Sequence, residues 1–456
     1  MRTATRRNSF SNRCRKIAES HSRSLLLGGL ISTLLPSLAA AETAETAAQI
    51  FSRVRHSIVA LEAASPKGKT HARGSGLAIT VGGQVVTSCE VADGNAGRQT
   101  HWSGKTFKAF LRYEKQDLGI CQLEVTDLQI PPVALGTAKN VRVRERGYAL
   151  GMSSEPTPQP VISTAEISSV RPYEGSWYMR ISAVLSPGFR GGGLFNERGE
   201  LIGILSPQRV EGENLTFAFP VDWMDDMEKH APSASGTRKE GGLDWLNRSF
   251  ALEKKGDWPG LLKLSEQQVK RDPRSAAAWF SVGTASAQLK RYNQAINAYG
   301  QAIRHQADYS EAWHKLGIAY AQVKEYDHAI HAYRDALRLH PHNAEAWHDL
   351  GDAYYESEQY PYAIHAYRES LRFEPENAIV WYSLGNTYDE LKLHADAVEA
   401  YRETVRIQPK NVDAWYSLGV DYAIEGERSE MNNIYRILRE LDPSKAELYF
   451  NIYILP

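Results

Sequence analysis

Six tryptophans recur at one fixed interval through the second half of the chain. Each lies 34 residues from the next, at positions 245, 279, 313, 347, 381 and 415. Most of them are followed by a leucine–glycine pair and then by a tyrosine at the same spacing. Such a period indicates short structural units that stack in a row, because one unit alone cannot bury its apolar face. We therefore predict that this half of the chain is a solenoid.

The later part of each unit repeats as well. It holds an alanine, a tyrosine four residues on and then a proline, for example Ala329, Tyr333 and Pro341. The small residue lets a second helix approach the first, the ring fills the space beside it, and the proline stops the helix. The pattern resembles the tetratricopeptide repeat (TPR). The resemblance implies an all-α TPR solenoid of about six repeats over residues 242–443.

The two ends of this array differ from its middle. Arg248 and Ser249 stand where the first repeat should have leucine and glycine, so that repeat is degenerate. The apolar tail, residues 444–456, is predicted to form a C-terminal capping helix. Solenoids need such caps, because stacking leaves an apolar face open at each end.

The TPR resemblance also implies a concave groove lined by the first helix of each repeat. The residue after each tryptophan usually faces this groove, and here those residues are Phe280, His314, His348, Tyr382 and Tyr416. Rings edged by acidic residues suit an extended protein or peptide ligand with basic or aromatic side chains. The alternative is that some of these rings only pack between adjacent repeats.

Several histidines of the repeats raise the question of a metal. His331 and His365 occupy matching places on second helices, and His340 and His342 flank a proline. Residues one repeat apart are too distant to share an ion, and no cysteine joins them. We therefore expect no metal and no cofactor.

Three segments of the first half carry a second resemblance. They are GSGLAIT with GQVVTSCEVADG at 74–80 and 83–94, QDLGICQLEV at 116–125, and SPGFRGGGLFNERGELIGILS at 186–206. Their order and spacing resemble those of trypsin-like serine proteases of the HtrA type. The resemblance implies an all-β chymotrypsin-like double barrel over residues 48–230, and hence a multidomain chain.

The same resemblance assigns the catalytic positions. Glu90 stands in the place of the histidine, Asp117 in that of the aspartate and Arg190 in that of the serine, while Gly188 and Arg190 would supply the oxyanion NH groups. A glutamate with a pKa of about 4.3 has no proton to return at neutral pH. A guanidinium has no lone pair with which to attack a carbonyl. We therefore predict a pseudoprotease and not an enzyme.

Two arrangements of the replaced residues are open. Arg190 could join Glu90 and Asp117 in an ion cluster that closes the cleft, or it could point out into the substrate groove. The competing function is an active exported endopeptidase whose repeats recruit substrate. It would need a displaced nucleophile among Ser186, Ser88 and Cys89, none of which has an evident base.

The N-terminus has the pattern of an export signal. Residues 1–23 are rich in arginine, 24–38 are apolar, and three alanines at 39–41 end the run. We predict a signal peptide over residues 1–41, or an uncleaved membrane tether if it is kept. The protein would then be periplasmic, or associated with the inner membrane and facing the periplasm.

Composition adds three expectations. A formal net charge of −1 with mixed acids and bases argues against a nucleic-acid partner. The protease resemblance puts Cys89 and Cys121 on neighbouring strands, so the two residues could form a disulfide. We nevertheless expect free thiols. Residues 231–241, where the composition changes, are predicted to form a linker between the two domains.

Overall fold

The computed structural model describes residues 46–64, 70–92, 98–115, 119–155, 157–173, 175–224 and 242–455. Two closed β-barrels are followed by an array of antiparallel helices, which confirms the predicted fold class. The predicted signal segment, the linker and Asp117 lie outside the described residues.

The first barrel is an antiparallel sheet closed on itself. Helix α1 (Ala47–Val54) precedes it, and a one-turn helix α2 (Cys89–Ala92) follows its third strand. Its strands run in the order β1-β2-β3-β6-β5-β4. They are β1 Ile58–Ala64, β2 Thr70–Ala78, β3 Gln84–Ser88, β4 Arg98–Trp102, β5 Lys105–Lys115 and β6 Ile120–Val125.

The second barrel repeats the closed arrangement in the order β10-β11-β12-β9-β8-β7. Its strands are β7 Arg146–Met152, β8 Pro160–Tyr173, β9 Ser176–Ile181, β10 Gly193–Phe195, β11 Leu201–Val210 and β12 Glu213–Pro220. Closure leaves neither sheet with an open edge. The two barrels also share an apolar cluster, to which Leu77 and Val86 of the first and Leu150 and Phe195 of the second belong.

One loop of the second barrel is fixed to the first barrel through the backbone of β2. Ser75 N donates to the carbonyl of Arg190 at 2.7 Å, and its hydroxyl donates to the carbonyl of Gly188 at 2.7 Å. Gly74 permits this approach, because a Cβ there would lie 2.4 Å from the Arg190 carbonyl oxygen. This loop, with Arg190 at its end, thus has a defined position against β2.

The helices pair in antiparallel hairpins, as the 34-residue period predicts. They are α3 Gly242–Lys255, α4 Trp258–Arg271, α5 Ala276–Gln288, α6 Tyr292–His305, α7 Ser310–Gln322, α8 Tyr326–Leu339, α9 Ala344–Glu356, α10 Tyr360–Phe373, α11 Ala378–Glu390, α12 His394–Ile407, α13 Val412–Glu425, α14 Arg428–Leu441 and α15 Pro443–Tyr449. Among the helices that the structure describes, none has both the length and the apolar character needed to cross a bilayer.

Contacts inside each hairpin explain the repeated residues. The indole NH of Trp347 donates to the carbonyl of Pro341 at 2.7 Å, which ties the start of a repeat to the preceding turn. A Cβ at Gly351 would lie 2.5 Å from the ring of Tyr367, so only glycine lets this tyrosine pack across the two helices. The periodic tryptophan, proline, glycine and tyrosine thus serve packing within and between repeats.

The two domains share an apolar core. Trp245, Leu246 and Phe250 of α3 are buried in the same cluster as Tyr178 and Phe217 of the second barrel. The rings of Phe217 and Phe250 lie 5.8 Å apart. The degenerate first repeat therefore packs against the barrel, which accounts for its departure from the repeat pattern.

Candidate functional sites

Glu90 and Arg190 form an ion pair where the two barrels meet. Glu90 lies on α2, directly after β3, and Arg190 ends the 3₁₀ turn Pro187–Phe189. Arg190 Nε is 2.8 Å from Glu90 Oε2, and its Nη2 donates to the carbonyl of Pro207 at 3.1 Å. Of the two predicted arrangements, the structure thus has Arg190 turned toward Glu90, and Asp117 lies outside the described residues.

The two backbone NH groups predicted to stabilise an oxyanion are already bonded within the chain. The NH of Gly188 donates to the hydroxyl of Ser154 at 3.2 Å, and the NH of Arg190 donates to the carbonyl of Pro187 at 3.1 Å. An oxyanion hole needs donors aimed at the position of the developing charge. In this conformation neither NH is available to a substrate carbonyl.

The three candidates for a displaced nucleophile differ in environment. Cys89 is bonded to Cys121 in a disulfide with a Cα–Cα distance of 4.9 Å, so the expectation of free thiols is wrong. The reason is the register of β3 on β6, which pairs Ser88 with Ile120 and so brings the two cysteines together. Ser88 is fully buried, and Ser186 is exposed.

A chain of hydrogen bonds links this ion pair to the first helix of the solenoid. Gln208 donates to Glu90 at 3.3 Å, and its side-chain oxygen accepts from Asn247 of α3 at 3.1 Å. Asn247 in turn accepts from the hydroxyl of Tyr178 at 2.9 Å. Sequence reasoning missed Gln208 and Asn247, because a lone amide on a strand or helix carries no distinguishing signal.

A buried arginine of β8 contacts residues of three helices of the solenoid, α3, α5 and α7. Arg171 is 1% exposed, and its guanidinium carbon lies 4.3 Å from the ring centroid of Phe280. Its nitrogens are 2.7 Å from Glu253 and 3.6 Å from Glu311. Burial raises the pKa of Glu311, and the charge of Arg171 opposes that shift. The solenoid therefore binds an arginine of its own chain through an aromatic ring and two carboxylates.

The five predicted groove residues consequently divide into two sets. Phe280, only 1% exposed, is covered by Arg171 and stacked on Tyr309, so it is not open to an external partner. His314 is buried and lies 2.7 Å from Asp349. The remaining three are partly exposed, and each packs on a tyrosine: His348 on Tyr367, Tyr382 on Tyr401, and Tyr416 on Tyr449 of α15.

An acidic cavity of about 550 Å³ lies farther along the solenoid. Its lining includes four acids, Glu345, Asp349, Asp352 and Glu356. It also includes four tyrosines, Tyr326, Tyr333, Tyr355 and Tyr367. The sequence predicted acidic residues along the groove, but it did not single out Asp349. This residue directly follows His348 in α9 and lines the cavity.

A second contact from the barrel lies at the rim of this cavity. Arg144 forms an ion pair with Glu345 at 3.0 Å, and Arg142 lies 3.5 Å from the ring of His342. Burial, with a smaller contribution from Arg142, lowers the pKa of His340 to about 4. The barrel thus supplies one arginine to each of two equivalent glutamates, Glu311 and Glu345, which lie one repeat apart.

Three groups of one histidine and two acids have ligand atoms close enough for one metal ion. Two of them share Asp349 in the cavity: His314 with Glu345 and Asp349, and His348 with Asp349 and Asp352. The third is Asp389, His394 and Asp421. The four histidines considered from the sequence do not occur in these groups.

Family models match both halves of the chain. The trypsin-like peptidase domain matches residues 74–204. Tetratricopeptide repeat models match residues 283–324, 310–353 and 348–412.

Curated relatives are similar to part of the chain. HhoA of Synechocystis sp., named as a serine protease, is 31% identical over 159 residues, which are 33% of this chain and 40% of HhoA. Human HTRA4 is 26% identical over 202 residues, covering 39% of this chain and 40% of that protein. Serine protease HTRA1 of Xenopus laevis is 25% identical over 261 residues, 53% of this chain and 54% of HTRA1. The chain thus spans about half or less of the length of these relatives.

Solved structures match parts of the chain. The HtrA-type protease AlgW with a tripeptide aligns with 41% of this chain and 63% of its own, at 19% identity and a TM-score of 0.37. MamA aligns with 36% of this chain and 97% of its own, at 28% identity and a TM-score of 0.35. From the family models and the curated relatives, the chain joins a trypsin-like peptidase domain, similar to HtrA serine proteases, to an array of tetratricopeptide repeats.

Proposed function

We propose that the protein is an exported, non-catalytic adaptor that binds a basic protein or peptide segment through its TPR groove. The trypsin-like domain serves as a second binding surface. The observation that carries the proposal is the ion pair of Glu90 with Arg190, which occupies the positions that the protease resemblance assigns to base and nucleophile. Serine protease chemistry needs a hydroxyl nucleophile beside an imidazole that takes and returns its proton.

The backbone around Arg190 supports the same conclusion. Loss of one triad member still leaves a rate enhancement of about 10³ to 10⁴ over water, which comes from the oxyanion hole and substrate binding. Here the NH groups of Gly188 and Arg190 are bonded to Ser154 and Pro187, so this residual contribution is reduced as well. A displaced nucleophile gains little support, because Cys89 is in a disulfide and Ser88 is buried.

The ligand class follows from the arginine that the solenoid already holds. Arg171 is bound by a ring and two carboxylates, the arrangement that cation–π and charge-assisted contacts favour. Beyond Arg171 the acidic cavity continues the same combination of tyrosines and carboxylates. An extended segment with lysine or arginine at intervals would satisfy these carboxylates, which makes a basic peptide the ligand we favour.

Export is the third part of the proposal. The arginine-rich and apolar N-terminal segment has the composition of a secretory signal. The Cys89–Cys121 disulfide supports an oxidising compartment, since such bonds persist in the periplasm and are rare in the cytosol. Fractionation of cells that express the full chain, with immunodetection and an N-terminal sequence of the mature protein, tests this part. A full-length cytosolic protein with free thiols would contradict it.

Peptide binding is tested with the purified chain and a fluorescent basic peptide, with a glutamate-substituted peptide of equal length as the control. Asp349→Asn and Asp352→Asn should each weaken binding several-fold, and added salt should weaken it further. Glu440→Gln changes the same charge on the exposed face of α14 and should leave the affinity unchanged. Equal binding of both peptides would contradict the proposal.

An active exported endopeptidase remains the second candidate, because the curated relatives are named as serine proteases. Incubation of the repurified mature protein with unfolded casein, together with a serine-reactive phosphonate probe, separates the two candidates. We expect neither cleavage nor labelling. Activity that follows the protein through repurification, and that is lost in Ser186→Ala, would establish the protease instead.

A further inference from the structure

Three departures from the repeat pattern meet at one junction of the solenoid, between α11, α12 and α13. His394 begins α12, where earlier repeats have a tyrosine, and Asp421 and Asp389 occupy positions that elsewhere hold small or uncharged residues. The residues that correspond to His394 are Tyr292, Tyr326 and Tyr360. Those that correspond to Asp421 are Ala285, Ala319, Ala353 and Thr387, and those that correspond to Asp389 are Ala287, Ala321, Tyr355 and Ala423. The other repeats therefore pack without these three polar side chains.

The three side chains converge in space. His394 Nδ1 is 2.8 Å from Asp421 Oδ1 and 3.4 Å from Asp389 Oδ1. One nitrogen and two carboxylate oxygens, all within 4.8 Å of one another, form the group. Tyr401 donates its hydroxyl to the other oxygen of Asp389 at 2.7 Å, which fixes the direction in which this carboxylate faces. The ligand atoms thus come from three consecutive helices.

Burial of Asp421 provides a second, independent observation. Asp421 is 1% exposed, and its Oδ2 is enclosed without a hydrogen-bond partner. Asp389 Oδ1 is likewise enclosed and without a hydrogen-bond partner. An unsatisfied carboxylate oxygen away from water costs free energy unless a cation or a donor compensates it. Asp421 thus has one oxygen bonded to His394 and one without a partner, and a bound cation would compensate the second.

We propose that Asp389, His394 and Asp421 bind one divalent transition-metal ion, with Zn²⁺ as the representative ion. Two carboxylates neutralise a divalent charge, and an imidazole nitrogen favours zinc and its neighbours over magnesium and calcium, which prefer oxygen ligands alone. The nitrogen that ligates the ion must be unprotonated, so a proton held on Nδ1 of His394 is released to the solvent when the ion binds. The bound ion would join α11, α12 and α13 and so stabilise the C-terminal repeats.

Each of the other two histidine–acid groups contains one acid that is more exposed than Asp389 and Asp421. Glu345 and Asp352 have side chains that are 41% and 49% exposed, and Glu345 is already paired with Arg144. Exposed acids of this kind remain hydrated and gain little from an ion. The acids of the cavity therefore fit the basic ligand proposed above, whereas the junction at Asp421 fits a metal.

The experiment uses the full mature chain without an affinity tag, treated with EDTA and then titrated with Zn²⁺ by isothermal calorimetry. We expect one saturable site with a dissociation constant in the micromolar range or below. His394→Tyr and Asp421→Ala replace each residue by the one that other repeats carry, so both variants should fold. Each should weaken binding at least tenfold, whereas His365→Gln, on an exposed part of α10, should bind as the parent does.

A second readout separates a metal site from a polar network with only a structural role. Co²⁺ bound by the parent chain should give visible d–d absorption that is lost in both variants, and Zn²⁺ should raise the melting temperature of the parent alone. Absence of a saturable site, or unchanged binding in His394→Tyr and Asp421→Ala, would overturn the proposal. Circular dichroism of the metal-free variants verifies their fold, and Asp389→Asn serves as a third variant. This result is independent of peptide binding and leaves the proposed adaptor function unaffected.

Discussion

Arg171 of β8 and Phe280 of α5 are in contact across the domain boundary, with 4.3 Å between the guanidinium carbon and the ring centroid. The guanidinium is also close to Glu253 and Glu311, and it is almost fully buried. This contact, together with the shared apolar core, joins the barrel to the first repeats. Phe280 is therefore covered by the barrel's own arginine.

Replacement of Arg171 by alanine should strongly destabilise the protein. The substitution leaves Glu253 and Glu311 without their buried cation, and loss of one partner of a buried pair costs about 3–5 kcal/mol. Equilibrium unfolding in urea measures the change. Arg112→Ala, at a partly exposed pair on the first barrel, should cost about 1 kcal/mol or less. A similar small effect of both substitutions would show that the buried pair does not stabilise the domain contact.

Restoration of the catalytic side chains alone should not restore a protease. In the double variant Glu90→His, Arg190→Ser, the NH groups of residues 188 and 190 would still donate to Ser154 and Pro187. Because each missing oxyanion donor costs about 10² to 10³ in rate, we expect casein cleavage to stay near the background. Rapid cleavage would show that substrate binding reorganises this loop.

Removal of the disulfide should lower stability. The bond closes a segment with a sequence separation of 32, and the loss of that constraint costs about 2–4 kcal/mol in the chain-entropy account. Calorimetry of the parent with and without a reducing agent measures the effect. The double variant Cys89→Ser, Cys121→Ser should match the reduced parent and should not respond to the reductant. A parent that also fails to respond would contradict the prediction.

Acid should destabilise the folded protein through His340, which directly follows α8. Its folded pKa of about 4 lies below the unfolded value of about 6.5, so the unfolded chain binds more protons between these values. The free energy of unfolding is therefore unaffected by this residue above about pH 6.5, and it decreases as the pH falls toward 4. Urea unfolding at several pH values measures the slope, which His340→Gln should reduce.

Local patterns were predicted well because their contacts are local. Five of the six periodic tryptophans bond to a carbonyl six residues earlier, as Trp381 does to Pro375. In four repeats the glycine meets a tyrosine 16 residues later, as Gly351 meets Tyr367. Such contacts recur with the period and can be read directly from it. In the first half, the three protease-like segments placed Glu90 and Arg190 at one cleft before the distance between them was known.

The sequence by itself determined the two architectures, the positions that the protease resemblance assigns to catalysis and the residues that repeat. Only the tertiary structure decided that Arg171 packs on Phe280, that Cys89 is bonded to Cys121, and that Asp389, His394 and Asp421 share one junction. These contacts join segments far apart in the chain, such as Val170 and Tyr309 at a separation of 139 residues. They depend on strand register and on how the barrel docks on the helices, which is a property of the whole packed chain and not of any local pattern.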